Sequence, residues 1–203
     1  MFENSGSSSA ATFDFTIPRG DTGATGGLGS VVTSLPASPV SNEEVYYLAD
    51  STNGIVWHLK YRSGSSSTYK WEFVGGASLY SAVDTEQSTT SATYAALTTA
   101  GPSVTVPLAG DYIISFGSMT FSAGTNIWSF HSFDVGGTTA SDNDALEYRN
   151  AIANAPRTTQ SRNVRKTGLS ASTALVSKYR SSAAGTSATF GSRWMQVTPI
   201  RVA

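Results

Sequence analysis

The sequence predicts an all-β protein, and three observations support that prediction. Charged residues make up only 13% of the 203 residues, whereas serine and threonine together exceed a quarter and glycine contributes 19. Such a composition is typical of strands joined by small-residue turns. Short segments that alternate apolar and polar residues recur along the chain, separated by turn-forming residues. With 39% hydrophobic and 11% aromatic residues, the chain can bury a sizeable core.

Composition also excludes several functional classes. The net charge of −1 gives no general attraction to nucleic acid, and a chain without cysteine has neither disulfides nor a cysteine-based zinc site. No stretch approaches the roughly 20 apolar residues that a membrane span requires. The start MFENSGSSSAATFDF lacks the basic residues and apolar run of a signal peptide. We therefore expect a protein that folds in a reducing cytoplasm without inserting into a membrane.

Residues 1–41 form the first predicted region, which contains an arm, a glycine-rich stub and a linker. In the segment FDFTI, the apolar residues Phe13, Phe15 and Ile17 alternate with polar ones. We expect a short strand here that adds to the sheet of a neighbouring protein and anchors the chain.

The sequence PRGDTGATGGLG places glycine at every third residue, at Gly20, Gly23, Gly26 and Gly29. This is the collagen period, which arises because only glycine fits at the crowded axis of three chains. Such a short stub forms no stable triple helix alone, but a trimeric head would hold it together as a three-stranded neck. The alternative interpretation is a flexible glycine-rich linker.

Residues 42–78 predict a small three-stranded β-meander. In GIVWHLKYR, one face carries Ile55, Trp57, Leu59 and Tyr61, and the segment YKWEFV alternates in the same way. Cross-strand aromatic pairs would stabilise this unit. A unit of this size is marginal alone, so we expect it to pack on its neighbours.

Residues 79–203 predict one β-sandwich of the jelly-roll type. The candidate strands cover 79–84, 92–97, 103–107, 111–121, 127–135, 144–153, 161–169, 173–180 and 192–202. Glycine- and serine-rich turns separate them. The segment 145–155 fits a strand and a short helix equally well.

Acidic and basic residues are unevenly distributed along the chain. All 14 acids lie within residues 1–148 beside four bases, while residues 149–203 hold the other nine bases and no acid. Two interpretations fit this pattern. Early and late strands pair so that opposite charges meet, or the basic region presents a face to an anionic surface.

The order of motifs is informative: FDFTIPRG precedes the glycine triplets, the aromatic hairpins VYYLAD and GIVWHLKYR follow, and the chain closes on WMQVTPIRV. This order resembles tail-fibre and other minor virion proteins of tailed bacteriophages. The segment VTVPLAGDYIISF is similar to an early strand of the complement and tumour-necrosis-factor jelly roll. The resemblance implies a homotrimer located in the virion, made in the host bacterial cytoplasm and released by lysis.

No catalytic, cofactor or metal site is predicted. His58 and His131, the only histidines, lie in predicted strands between aromatic residues. The sequence contains neither a nucleophile elbow nor a phosphate-binding loop. The acids Asp142, Asp144 and Glu147 could present oxygens to a cation, but they lack the rest of a known calcium loop. We interpret them as a polar turn.

Aromatic residues are the better functional candidates, because sugars bind through the ring faces of tryptophan and tyrosine together with polar hydrogen bonds. Trp128 and Tyr148 are the candidate glycan contacts. For Trp57, Trp71 and Trp194 we predict core packing.

These observations predict a non-enzymatic virion structural protein of the minor tail or fibre type, whose trimeric head contacts a glycan of the host surface. The alternative is a capsid decoration protein anchored to the shell by its N-terminal arm. A third hypothesis is a small depolymerase with a carboxylate pair. The expected partners are further copies of the chain, other proteins of the tail or capsid, and a host cell-surface glycan; we expect neither a cofactor nor nucleic acid.

Overall fold

The fold is that of a computed structural model, which describes residues 30–152 and 156–203. Two predicted features lie outside the described residues. They are the anchoring strand with Phe13, Phe15 and Ile17, and the neck glycines Gly20, Gly23, Gly26 and Gly29. Within the described ranges, no helix is long and apolar enough to cross a bilayer.

The predicted β-meander is present. It comprises β1 (Val31–Val32), β2 (Glu44–Asp50), β3 (Ile55–Tyr61) and β4 (Trp71–Gly76). Strands β2, β3 and β4 are antiparallel neighbours, and β1 runs parallel to β2 at the edge. The predicted alternation holds, because Trp57 and Leu59 are fully buried. On the opposite face His58 and Lys60 both contact the carboxylate of Glu44.

The rest of the chain forms a two-sheet sandwich. Its strands are β5 (Leu79–Val83), β6 (Gln87–Thr89), β7 (Ser103–Thr105), β8 (Gly110–Ser122), β9 (Trp128–Val135), β10 (Leu146–Arg149), β11 (Thr158–Leu169), β12 (Ala174–Ser181) and β13 (Ala188–Val202). The large sheet contains β8, β11 and β13 with β5 and β6 beside β13, and the small sheet has the order β10-β9-β12-β7.

This strand order is that of a jelly roll. Strands β5 and β6 lie end to end along β13 and count as one interrupted strand. With β5 and β6 counted together, the sandwich has eight strands. Across the large sheet their order is first, eighth, third and sixth (β5/β6, β13, β8, β11). Across the small sheet it is second, seventh, fourth and fifth (β7, β12, β9, β10). Consecutive strands thus alternate between the two sheets, apart from the fourth and fifth, which are neighbours in the small sheet; this is the double Greek-key order of a jelly roll. The predicted fold class is confirmed for the described residues.

The meander and the sandwich share one sheet. Strand β4 pairs with the end of β13, where Glu72 lies opposite Arg201 and Trp71 opposite Val202. Residues Val31–Ala203 accordingly form one compact unit. The predicted divisions after residues 41 and 78 stay predictions about how the chain is organised.

The segment PLAGDY fixes the start of β8. The hydroxyl of Tyr112, which is fully buried, donates a 2.7 Å hydrogen bond to the carbonyl oxygen of Leu108, as in the tyrosine corner of other sandwiches. Gly110 allows β13 to come close, because a β-carbon there would lie 2.3 Å from the carbonyl oxygen of Arg201. Burial raises the pKa of Tyr112.

Two strand predictions need correction. The segment 92–97 is not a strand; β6 forms a few residues earlier, and Ala95 makes only an isolated bridge to Tyr179. The reason is local hydrogen bonding, since Ser91 Oγ accepts from the backbone of Thr93 and donates to its carbonyl oxygen, which competes with a ladder. The segment 145–155 fitted a strand and a short helix equally well; in its described part, Leu146–Arg149 form the strand β10.

The sandwich core changes character along its length. Near the meander it is apolar, with fully buried Ile114, Leu175 and Val197. Toward the other end polar groups are buried: the two ring nitrogens of His131 lie 3.1 Å from the hydroxyls of Ser118 and Ser177. Burial lowers the pKa of His131 to about 3, and the charge of Arg193 adds to that effect.

Candidate functional site

The outer face of the small sheet carries a row of aromatic and arginine side chains. We call it the aromatic–arginine face and define it by Trp128, Phe130, Arg149, Arg180 and Tyr94. Trp128 and Phe130 point outward from β9, and their rings stack with centroids 6.3 Å apart. Pairing places Arg149 of β10 opposite Trp128 and Arg180 of β12 opposite Phe130. The two-residue period of the strands thus puts these groups on one surface.

The guanidinium groups lie over the aromatic rings. The Arg180 guanidinium carbon is 3.5 Å from the Phe130 centroid and 5.3 Å from that of Tyr94. The Arg149 guanidinium carbon is 5.7 Å from the Trp128 centroid. Arg180 covers Phe130, which is 8% exposed, whereas Trp128 remains 36% exposed. Trp128 is therefore the most exposed ring of this face and its best candidate for contact with a ligand.

Arg180 is held in place by an acid from the turn before β10. It donates to both carboxylate oxygens of Asp142, and Tyr94 donates to the same group at 2.7 Å. The Arg180 contacts hold the pKa of Asp142 below its usual value. Burial and the bond to Asp142 raise the pKa of Tyr94. These three residues border a shallow depression of about 380 Å³, with its charged groups already paired.

The other predicted glycan contact, Tyr148, lies on the opposite face. Tyr148 pairs with Ser129, and both side chains point toward the large sheet, whereas Trp128 and Arg149 point outward. Tyr148 is half-buried there. One ligand on the outer surface can contact Trp128 but not Tyr148.

The acids Asp142 and Asp144 form a polar turn. They belong to a 3-10 turn capped by Ser141. Asp142 contacts Arg180, and Asp144 contacts Lys166. Each carboxylate thus has a cationic partner of its own, and in the part of the chain that the structure describes no acid and histidine group has the arrangement of a metal site.

The uneven charge distribution is explained by pairing across the fold. Six of the nine late bases contact acids from the first 148 residues: Arg157–Glu86, Arg165–Asp111, Lys166–Asp144, Lys178–Asp134, Arg180–Asp142 and Arg201–Glu72. The interpretation that opposite charges meet in space is confirmed for these six. The three remaining bases, Arg149, Arg162 and Arg193, are treated below.

The outer face of the large sheet is a second candidate surface. We call it the uncharged face, and it consists of Tyr80, Ala82, Ile113, Ser115, Gly117, Met119, Trp194, Gln196 and Thr198, which the strand registers place side by side. Tyr80 is 60% exposed and Ile113 is 39% exposed. Trp194, predicted as a core residue, is half-buried on this face, whereas Trp57 and Trp71 are buried as predicted.

Among the residues that the structure describes, charged side chains lie at the two ends of the uncharged face and form ion pairs there. Arg157 contacts Glu86 at 2.7 Å at one end. At the other end Arg165 lies 3.6 Å from Asp111. The centre of the face therefore combines exposed apolar groups with small hydroxyl and amide groups, which suits contact with another protein surface.

The sequence does not reveal Arg149, Arg180 and Tyr94 as parts of one surface. They come from three segments far apart in the chain. The register of β9 with its two neighbours places Arg149 and Arg180, and the bridge between Ala95 and Tyr179 places Tyr94 beside them. The uncharged face was missed for the same reason. The one available signal was the absence of charged residues from GDYIISFGSMTFS after its first acid.

Comparison with known proteins gives little help. No protein-family model matches the chain, and no curated protein is similar to it. A structure of the infectious bursal disease virus Gx strain aligns with a TM-score of 0.36 and 9% identity, over 83% of this chain and 55% of that one. The VP2 subviral particle of the same virus aligns with a TM-score of 0.31 and 9% identity, over 72% and 44% of the two chains. The chain thus spans about half the length of these proteins, and its fold class rests on its own strand order.

Proposed function

We propose that this protein is a non-enzymatic virion structural protein of a tailed bacteriophage, of the minor tail or fibre type, whose jelly-roll head is a homotrimer that contacts a host glycan. The observation that carries the proposal is the uncharged face, which occurs on a jelly roll that follows a collagen-like stub in the sequence. The stub is compatible with three parallel chains, and the uncharged face offers a surface for them to meet.

The trimer is the step on which the other steps depend. The uncharged face presents the exposed side chains of Tyr80 and Ile113 and the half-buried ring of Trp194, without a charge that would have to be desolvated. Burial of apolar groups drives association, and unpaired charges at such a contact would oppose it. The occupant of this face is therefore a second copy of the chain.

Binding to the host surface would use the opposite side of the head. The aromatic–arginine face lies on the small sheet, which leaves it accessible when the large sheet is covered by neighbouring copies. A trimer presents three such faces, and three weak contacts together give a much higher avidity than one.

The native mass of the full chain tests the trimer. Light scattering after size exclusion should give three times the 21.2 kDa chain mass. A mass of one chain at micromolar concentration would overturn the trimeric head and leave the glycine triplets a linker.

Labelling of particles tests the location. Antibodies against the protein should label the tail of intact virions in electron micrographs. Label distributed over the capsid would instead support the alternative, a decoration protein anchored to the shell through its N-terminal arm. Particles without label would overturn both proposals.

A further inference from the structure

We propose that Trp128 and Arg149 form a binding site for an anionic saccharide, with a pyranose ring against the exposed part of the indole and its carboxylate or phosphate at the guanidinium, whose carbon lies 5.7 Å from the indole centroid. This inference deepens the proposed function, on which its biological role rests, by naming the chemical class of the glycan.

The first argument is the position of Arg149 among the basic residues. Six of the nine late bases contact carboxylates. Arg162 donates to the carbonyl oxygens of Ala145 and Asn143, and Arg193 is buried among carbonyl oxygens. Within residues 30–152 and 156–203, no carboxylate lies within ion-pair distance of Arg149. Arg149 is thus an exposed cation that forms no ion pair with any of the described residues.

Hydrogen bonds hold both Arg149 and Trp128 in place. Arg149 Nη2 donates a 2.9 Å hydrogen bond to the side-chain oxygen of Asn126. The backbone of Trp128 is tied to Ser182 on both sides: its N–H donates to the hydroxyl at 2.9 Å, and its carbonyl oxygen accepts from the N–H of Ser182 at 2.9 Å. The Phe130 ring supports the indole from one side. A preorganised ring and cation lose little conformational entropy when a ligand binds.

The site combines an exposed indole with a guanidinium, and an anionic sugar can contact both. Sugar rings place their C–H faces on exposed indoles, and hydroxyl groups hydrogen-bond to the polar groups around them. A guanidinium adds a charge-assisted, bidentate contact to a carboxylate or phosphate. Glu147 lies next along the face, opposite Phe130. Its charge orients the ligand, because the anionic group is favoured at the Arg149 end and disfavoured at the other.

The experiment is glycan-array binding of the purified full-length protein. The array carries uronic acid, sialic acid and phosphosaccharide oligomers beside neutral oligomers of the same ring type. We expect binding to anionic members, at least about tenfold weaker signals from the neutral counterparts, and a decrease at high salt because the contact is exposed. Comparison of the signals from uronic and sialic acids with those from phosphosaccharides shows whether the site binds a carboxylate or a phosphate. Equal binding to neutral and anionic members, or no binding to any anionic member, would overturn the site.

Variants locate the binding. Arg149→Gln should reduce affinity for the best anionic oligomer about tenfold, and Trp128→Ala should do the same by removing the ring platform. Arg62→Gln removes one exposed positive charge from the meander and should leave binding unchanged. If Arg62→Gln and Arg149→Gln reduce binding equally, the effect is one of net charge and the assignment is wrong. Arg149→Gln alters a surface side chain only, so it decides the question even if Trp128→Ala folds poorly.

Failure of this site is distinguishable from failure of the proposed function. A trimer that labels the tail but ignores anionic sugars would overturn the saccharide class alone. A monomer that binds them would keep the site and overturn the trimeric head.

Discussion

Gly117 lies directly beneath the indole of Trp194 on the uncharged face. A β-carbon at position 117 would be 2.8 Å from both Nε1 and Cε2 of the indole, and 2.7 Å from the carbonyl oxygen of Gln160. The glycine therefore allows the large ring to lie flat on the sheet, which keeps the face even.

Substitution of Gly117 by alanine tests this packing. We expect Gly117→Ala to lower the free energy of unfolding by about 1–3 kcal/mol, because the methyl group must displace either the indole or the neighbouring strand. Urea denaturation at a fixed protein concentration measures the change. The control is Gly64→Ala, since a β-carbon at Gly64 meets nothing within 4 Å; we expect its effect to stay within about 0.5 kcal/mol. Equal stability of both variants would show that Trp194 is free to move.

Arg193 connects β13 to two other segments of the chain, at residue 85 and at residues 99–101, from within the core. The side chain is fully buried, and it donates 3.2 Å hydrogen bonds to the carbonyl oxygens of Thr99, Gly101 and Thr85. Its guanidinium carbon is 5.4 Å from the centroid of the Tyr179 ring. The planar guanidinium fork, rather than charge alone, satisfies these carbonyl groups.

Replacement of Arg193 by lysine keeps the charge and removes the fork. We expect Arg193→Lys to destabilise the fold by about 2 kcal/mol or more, because at least one buried carbonyl loses a hydrogen bond from a charged donor. Thermal unfolding followed by circular dichroism measures the change. Arg62→Lys, in an exposed ion pair with Glu72, should shift stability by less than about 1 kcal/mol. If Arg193→Lys is as stable as the wild type, water molecules can supply the hydrogen bonds that the guanidinium donates to these carbonyl groups.

The fold could be predicted from the sequence because its strands follow local rules. The alternation of Ile55, Trp57, Leu59 and Tyr61 depends only on the two-residue period, and the turn chemistry of PLAGDY marks the start of β8. The prediction failed at 92–97, where serine and threonine hydroxyls bond to nearby backbone groups. Single-residue patterns do not reveal that competition.

The candidate site could not be predicted, because it depends on register between distant strands. Trp128 and Tyr148 are both aromatic residues near a loop, yet a one-residue difference in parity places them on opposite faces of the small sheet. The core is equally hard to read. On β8 the inward positions change from Tyr112 and Ile114 to Ser118 and Thr120, and the hydroxyl of Ser118 lies within hydrogen-bond distance of the His131 ring.

Because His131 is buried in its neutral form, we expect the folded protein to lose stability in acid. Burial lowers its pKa from 6.5 to about 3 in the folded protein. Between these values the unfolded chain binds a proton that the folded protein does not, so stability falls as the pH falls. The expected slope from this one group is about 1.4 kcal/mol per pH unit.

Urea unfolding at several values between pH 4 and pH 6 measures that slope. We expect His131→Asn to be less stable at neutral pH and to lose stability on acidification less steeply, by about one proton, than the wild type. His58→Asn, which leaves the buried ring in place, should keep the steep slope. The account of His131 fails if all three proteins respond to acid alike.

A charge at the centre of the uncharged face tests the interface between copies. Ser115 lies between Gln196 of β13 and Asn163 of β11, and it is half-buried on the outer side of the large sheet. We expect Ser115→Arg to fold with near wild-type stability as a single chain, because the new guanidinium can reach water. In a trimer it would bring three unpaired charges into the contact, which costs several kcal/mol per buried ion, so the native mass should fall toward 21.2 kDa. The matched control is Ser51→Arg, on an exposed turn of the meander, which should leave the mass of the wild type unchanged. If Ser115→Arg remains as large as the wild type, copies of this chain meet through another surface.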